Sequence, residues 1–357
     1  MTDEALWVVD ESNVLLAWDG RTGQASARVE LGGTGDVRWY PQAGGGLVWV
    51  FGSDGSVALV DPFTARLLAP PVIAPRPPGG LVGMPHYSHG AMWIWGTDRV
   101  WRVTAAGESS ATPAERDTRR FGGAVQAAAT DRWVFFGQGR QLLRVDPRTG
   151  AVADESDRLH AALDSARIPP PGVLDSMTAG PDDLVLAMGY NEPDIVVLDP
   201  DTMRPKWTTR VPDGSFVVTV HQSGRDIWAL SESTAMRLDP GGGSASPLVR
   251  RRQLEAASAA VALGSLWIVD RDDEALVRLD VRTGRILGRL EIPGASWDQP
   301  HVRIVAGEHT VWLICRTSVI EDGVYRIDPD TNQVHRLAQP HELKHSYAAV
   351  APAPRPQ

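Results

Sequence analysis

The sequence predicts an all-β fold: an eight-bladed β-propeller of four-stranded antiparallel blades, with a seven-bladed ring as the alternative. Three observations predict it. An apolar–Trp run recurs along the whole chain. Each run is followed by a second apolar run that ends in an aspartate turn. The first unit lacks one strand, and the end of the chain can supply it.

The runs are "LWVVD" at Trp7, "VWVFG" at Trp49, "MWIWG" at Trp93, "RWVFFG" at Trp133, "LVLAMG" at Val185, "IWALS" at Trp228, "LWIVD" at Trp267 and "VWLIC" at Trp312. Their spacing is 39 to 52 residues, the period of a propeller blade. Strict alternation is missing because a blade's second strand is covered on both faces. The turns read "VDPRTG", "LDPDTM", "LDVRTG" and "IDPDTN". Asp accepts a backbone N–H two residues on, Pro presets φ and Gly takes φ > 0, which is hairpin chemistry. A third apolar run such as "RILGRLEIP" and a preceding one such as "SAAVALG" complete four strands.

The first Trp run begins at Leu6, with no room for a strand before it. The segment "HSYAAVAP" near the C-terminus is similar to "ASAAVALG", the inner strand of the Trp267 unit. The C-terminus is therefore expected to complete the first blade and remove the free sheet edges. One domain over 1–357 follows, with 352–357 as a disordered tail. The fifth unit is the irregular one: it lacks the Trp and carries the insertion "LHAALDSARIPPPGVL".

Composition fits this fold. Among 357 residues there are 35 Gly and 27 Pro, and only 22% are charged. Turn formers at that level suit short strands. The formal charge is −9, so no overall field attracts nucleic acid or an anionic membrane. The single cysteine, Cys315, reads as a small buried hydrophobe. The N-terminus "MTDEALWVVD" has neither a basic nor an apolar leader region. A cytoplasmic protein acting on a small molecule is the expectation. The sequence does not set its oligomeric state.

The stretch HELKH, His341 to His345, matches the H-E-x-x-H pattern of zinc proteases. That chemistry needs a helix. Here Pro340 precedes the motif, a strand is expected after it, and Ala348 stands where a glycine would extend the pattern. No metal site is expected.

The same segment matters for another reason. Inner strands enter as "QPHVRIVAG" in the eighth unit, "KHSYAAVAP" in the first and "DVRWYPQAG" in the second. His301, His345 and Arg38 take the first strand positions of three neighbouring blades. Equivalent positions elsewhere are Val82, Gly122, Leu174, Val217 and Ala256. The first residues of inner strands face the channel mouth, where ligand sites form. His301 is the expected base, His345 the acid or its orienter, and Arg38 the holder of a carboxylate or developing oxyanion. Trp39, Tyr40, Trp297, Asp298, Arg303 and Tyr347 would line the substrate, and Tyr190 in "GYNEPD" could reach in from the opposite side. General acid/base chemistry (elimination, cyclisation or hydrolysis) on a secondary-metabolite-like substrate is expected. A non-catalytic scaffold for protein or peptide is the alternative. His86 and His89 in "PHYSH" read as satisfied polar groups at a strand end. Asp10, Glu11, Glu232 and Asp270 read as strand-end caps that could also hold a divalent cation.

The repeat "GSLWIVDRDDEALVRLDVRTGRILGRLEIPG" resembles the blades of the virginiamycin B lyase family. The resemblance covers nearly the whole chain. It implies a propeller, elimination chemistry at a macrocyclic ester, a catalytic histidine at the channel and a glutamate-bound magnesium. His301 is similar in placement to the family's channel histidine, and no residues here match the magnesium glutamates. The family's rings are seven-bladed. "DPDTMRPKW", Asp199 to Trp207, also resembles one tryptophan-docking repeat of quinoprotein dehydrogenases.

Overall fold

A computed structural model describes residues 4–10, 12–20, 22, 24–32, 37–69, 72–73, 85–96, 98–114, 125–165, 173–189, 194–211, 217–223, 225–231, 233–239, 245–250, 254–292, 301–316, 323–337 and 343–354. They form eight antiparallel sheets arranged as an eight-bladed propeller. Seven sheets have four strands, and blade 2 has an outer strand broken into Arg66–Leu67 and Val72–Ile73. From blade 1 to blade 8 the inner strands are Leu343–Pro352, Trp39–Gly44, His86–Ser88, Gln126–Ala129, Val173–Ala179, Val217–Ser223, Leu254–Ala262 and His301–Ala306. Each inner strand adjoins the next around the ring, and the last adjoins the first.

The core has eight parts. Among the described residues, eight apolar clusters each fill one interface between neighbouring blades. The repeated tryptophans explain why. Trp49 packs with Met92, Ile94 and Val103 of blade 3, and Trp228 packs with Leu266 and Ile268 of blade 7. Each large side chain on a second strand thus fills the wedge between two twisted sheets. Truncating such a Trp to Ala costs about 3–5 kcal/mol in protein cores.

The polar repeat residues hold the same interfaces. Asp280 Oδ1 accepts from the amides of Arg282 at 3.1 Å and Thr283 at 2.7 Å, and from the Thr283 hydroxyl at 2.7 Å. Those donors hold its carboxyl below the usual range. Asp146, Asp199 and Asp328 make the same kind of turn. Two residues before Asp146, Asp280 and Asp328 stands an arginine. The Arg278 guanidinium lies 5.0 Å from the Trp267 ring centroid and donates to Asn332 Oδ1 (3.1 Å) and the Pro329 carbonyl of blade 8. Arg144 lies 4.5 Å from the Trp133 centroid and donates to the Asp201 carbonyl of blade 5 at 2.7 Å. Each arginine therefore covers an indole and ties one blade to the next blade's aspartate turn.

The ring closes as the repeat implies. Glu4–Asp10 pairs antiparallel with Leu343–Pro352, with Glu4 opposite Pro352 and Trp7 opposite Ala349. Glu4 adds a second tie. Its carboxylate accepts from the amides of Glu308 (2.6 Å) and His309 (3.2 Å) and from the Thr310 hydroxyl (2.5 Å) of blade 8. Thr310 in turn accepts from the Trp312 indole at 2.9 Å.

Three features depart from or add to the expectations. The tail cannot begin at 352, because Pro352 is paired in the sheet and Ala353 packs against the core between blades 1 and 2. The fifth-unit insertion contains a helix, Ser156–Ser165, whose Leu159, Ala162 and Leu163 are buried between blades 4 and 5. Trp133 lies just before the strand Val134–Gln138, partly buried, and donates to Asp201 Oδ1 at 2.6 Å.

Candidate functional site

The two ends of the inner strands define two rims. At the entrance rim the chain arrives from the previous blade. At the exit rim each inner strand turns into its second strand.

The entrance rim of blades 8, 1 and 2 is where sequence reasoning located a site. His301 is the first residue of its strand and pairs with Arg316. His345 is the third residue of its strand, and Tyr347 follows on the same strand. Arg38 immediately precedes Trp39–Gly44 and is exposed. Its amide donates to Ser53 Oγ at 3.0 Å, and its carbonyl accepts from Ser53 at 2.7 Å. The three residues therefore stand at or near the entrances of adjacent inner strands. Trp39 does not line an opening: it is 2% exposed and belongs to the core between blades 1 and 2. Alternation along the strand sends Tyr40 to the other face, partly buried against the core between blades 2 and 3. Arg303 is partly buried opposite Ile314. Trp297, Asp298 and Tyr190 lie outside the described residues, as do Glu11, Glu232, His341 and Glu342.

The described part of HELKH is not helical. Leu343 to His345 open a β-strand, so the one-turn spacing of a zinc-protease helix is absent. Asp10 caps a turn, accepting from Ser12 and Val14 at 2.9 and 3.0 Å. Asp270 is fully buried and pairs with Arg289 at 3.2 Å. Among the described residues, no group of His, Cys, Asp or Glu is placed to hold a metal ion. Cys315 is 2% exposed within the core between blades 7 and 8.

Sequence reasoning passed over Asp175. It is the extra residue of a bulge between Leu174 and Ser176, near the entrance of the blade 5 inner strand. Bulges re-aim side chains at rims. Partial burial raises its carboxyl above the usual range. An aspartate inside "GVLDSM" was the available signal.

The exit rim of blades 8, 1 and 2 holds a cavity of about 410 Å³. Its walls are the blade 2 hairpin (Ala43 to Leu47), the blade 8 turn (Ala306 to Glu308), the end of the closing strand (Val350 to Pro352) and Glu4. Local conformation shapes these walls. Gly45 and Gly46 have φ of 60° and 75°, the pair of left-handed residues that a two-residue hairpin requires. Gly44 lies so close to the Tyr87 ring of blade 3 that an added Cβ would sit 2.2 Å from it. At Gly307 an added Cβ would meet Val350 at 2.5 Å and the Glu4 carboxylate at 2.6 Å. Small residues rather than reactive ones define this cavity, so no sequence motif announced it.

Residues 1–246 match the profile of the family described as outer membrane protein assembly factor BamB. The chain belongs to that family. No curated protein matches it in sequence. Solved structures share its fold. Apo AztD from Citrobacter koseri is 12% identical, with a TM-score of 0.67 and 98% of each chain covered. BamB from Moraxella catarrhalis is 13% identical, with a TM-score of 0.57, covering 86% of this chain and 89% of that one. A catalytically inactive virginiamycin B lyase from Staphylococcus aureus, solved with quinupristin, is 15% identical. Its TM-score is 0.51, and the match covers 72% of this chain and 85% of that one. At these identities the likeness is one of fold. The lyase is a distant neighbour, so the family resemblance read from the repeat narrows to the propeller superfamily.

Two inner-strand histidines give a pH signature. His221 is opposite Trp228, and burial lowers its pKa from 6.5 to about 4. His86 is opposite Trp93, and burial, with His89 nearby, lowers its pKa to about 4 as well. Both are neutral in the folded protein near pH 7. Between pH 6.5 and 4 the unfolded chain binds more protons, so stability falls as pH drops through that window. Urea unfolding at pH 7 and pH 5 should show this loss, and His221→Gln should flatten part of it. An unchanged slope in the variant would remove His221 from the account.

Proposed function

We propose that the chain is a non-catalytic binding scaffold that engages a polypeptide through the exit-rim cavity of blades 8, 1 and 2. One observation carries this reading: the cavity walls suit binding and lack the groups for turnover. Among the described residues, its lining has no His, Cys, Ser, Thr, Lys or Tyr. Glu4, its one firmly held acid, already accepts three donors and is not a free base. Membership in a family described as an assembly factor supports a macromolecular partner. A cavity of about 410 Å³ has the size of a side-chain or small-ligand pocket.

Short random peptides displayed on phage and panned against the full chain test this. Binders should be enriched, and Ala43→Phe, which places a ring at an exposed lining position on the face of the blade 2 strand toward blade 1, should reduce their binding about tenfold or more while thermal unfolding stays cooperative. The reading fails if no enriched peptide responds to that substitution in a folded protein.

A second reading is supported by the shared rim of His301, His345 and Arg38. Under it, these residues would carry acid/base chemistry on a small molecule, with His301 as base. His301→Ala would then lower turnover of an identified substrate by about 10²-fold or more with little change in melting temperature. Turnover that survives the substitution would exclude His301 as the base.

A further inference from the structure

We infer that the exit-rim cavity takes a cationic side chain, lysine or arginine, from the bound polypeptide. This rests on the scaffold reading and adds the chemistry of the partner.

Among the described residues, the charged side chains of the lining are both acidic, Glu4 and Glu308. Glu4 is held by two amides and a hydroxyl. These neutral donors fix its position and leave its full negative charge in place. Among the described residues, no lysine or arginine pairs with Glu4 or Glu308. A carboxylate with no counter-cation among the described residues, beside apolar walls, makes a negative potential that water screens only in part. Glu308 is exposed beside it and adds to that potential at the opening.

The remaining walls suit the rest of such a side chain. Ala43, Leu47, Ala306, Val350, Ala351 and Pro352 offer apolar surface. Lysine and arginine bury a methylene stem along apolar surface while the charged head seeks a polar partner. The volume exceeds that of one side chain and leaves room for flanking backbone. The walls are also preformed. The Gly45–Gly46 turn is backed by Tyr87, and Gly307 admits Val350 and Glu4 at close range. Preformed walls lower the ordering cost of binding. The formal charge of −9 favours encounter with a cationic segment.

The same peptide selection separates this inference from the reading beneath it. Enriched peptides that lose binding to Ala43→Phe define the cavity binders. Each should carry lysine or arginine. Replacing that residue by norleucine, which keeps the stem and removes the charge, should weaken binding to the wild-type chain about tenfold. Glu308→Gln, an exposed and structurally mild change, should shrink that tenfold gap, as should raising the salt concentration. Cavity binders without a cation, or a norleucine version that binds within about twofold, would overturn the inference and leave the scaffold reading standing. No cavity-dependent binder at all would overturn both.

Discussion

The pairing of the last strand with the first is the constraint on which the rest depends. A propeller has no central core to hold it together. Its apolar surface lies in eight wedges between blades, and each wedge needs both neighbours. Without Leu343–Pro352, blade 1 would lose its inner strand, and the clusters on both of its sides would be opened. Val350 and Ala348 belong to the cluster facing blade 8, while Ala351 belongs to the one facing blade 2. One strand therefore completes two wedges. The Glu4 carboxylate on the blade 8 turn supports the same junction from the other end of the chain.

Repetition solves the remaining problem cheaply. A tryptophan on most second strands fills the wedge, and in blades 4 and 7 an arginine on the third strand covers the indole and reaches the carbonyls of the next blade's aspartate turn. Arg144 in blade 4 and Arg278 in blade 7 do this with the same partner types. The motif R-x-D-x-x-T is thus an inter-blade tie as well as a hairpin signal. Function then falls to what departs from the repeat. The closure seam departs most, because it joins two chain ends and brings two glycine-containing turns beside the Glu4 carboxylate.

The fold was legible because its signals are large and periodic. The Trp runs gave the blade number, the Asp turns gave the hairpins, and the missing strand before Leu6 gave the closure. The site was less legible. Trp39 sits at the head of an inner strand, and sequence alone could not tell which of Trp39 and Tyr40 faces the core. Sequence alone assigns no secondary structure to the insertion after blade 4, yet Leu159, Ala162 and Leu163 have helical spacing and are buried together. The exit-rim cavity is shaped by Gly44, Gly45, Gly46 and Gly307, residues whose role is absence of volume. Such residues carry no chemical signature, and only the closeness of Tyr87 and Val350 shows what they do.

Hydrogen–deuterium exchange on the intact chain tests the closure most directly. If the C-terminal strand completes blade 1, the amides of residues 343–352 exchange as slowly as those of residues 4–10, and both are released in one step as denaturant is added. Rapid exchange across 343–352 while 4–10 stays protected would contradict the account.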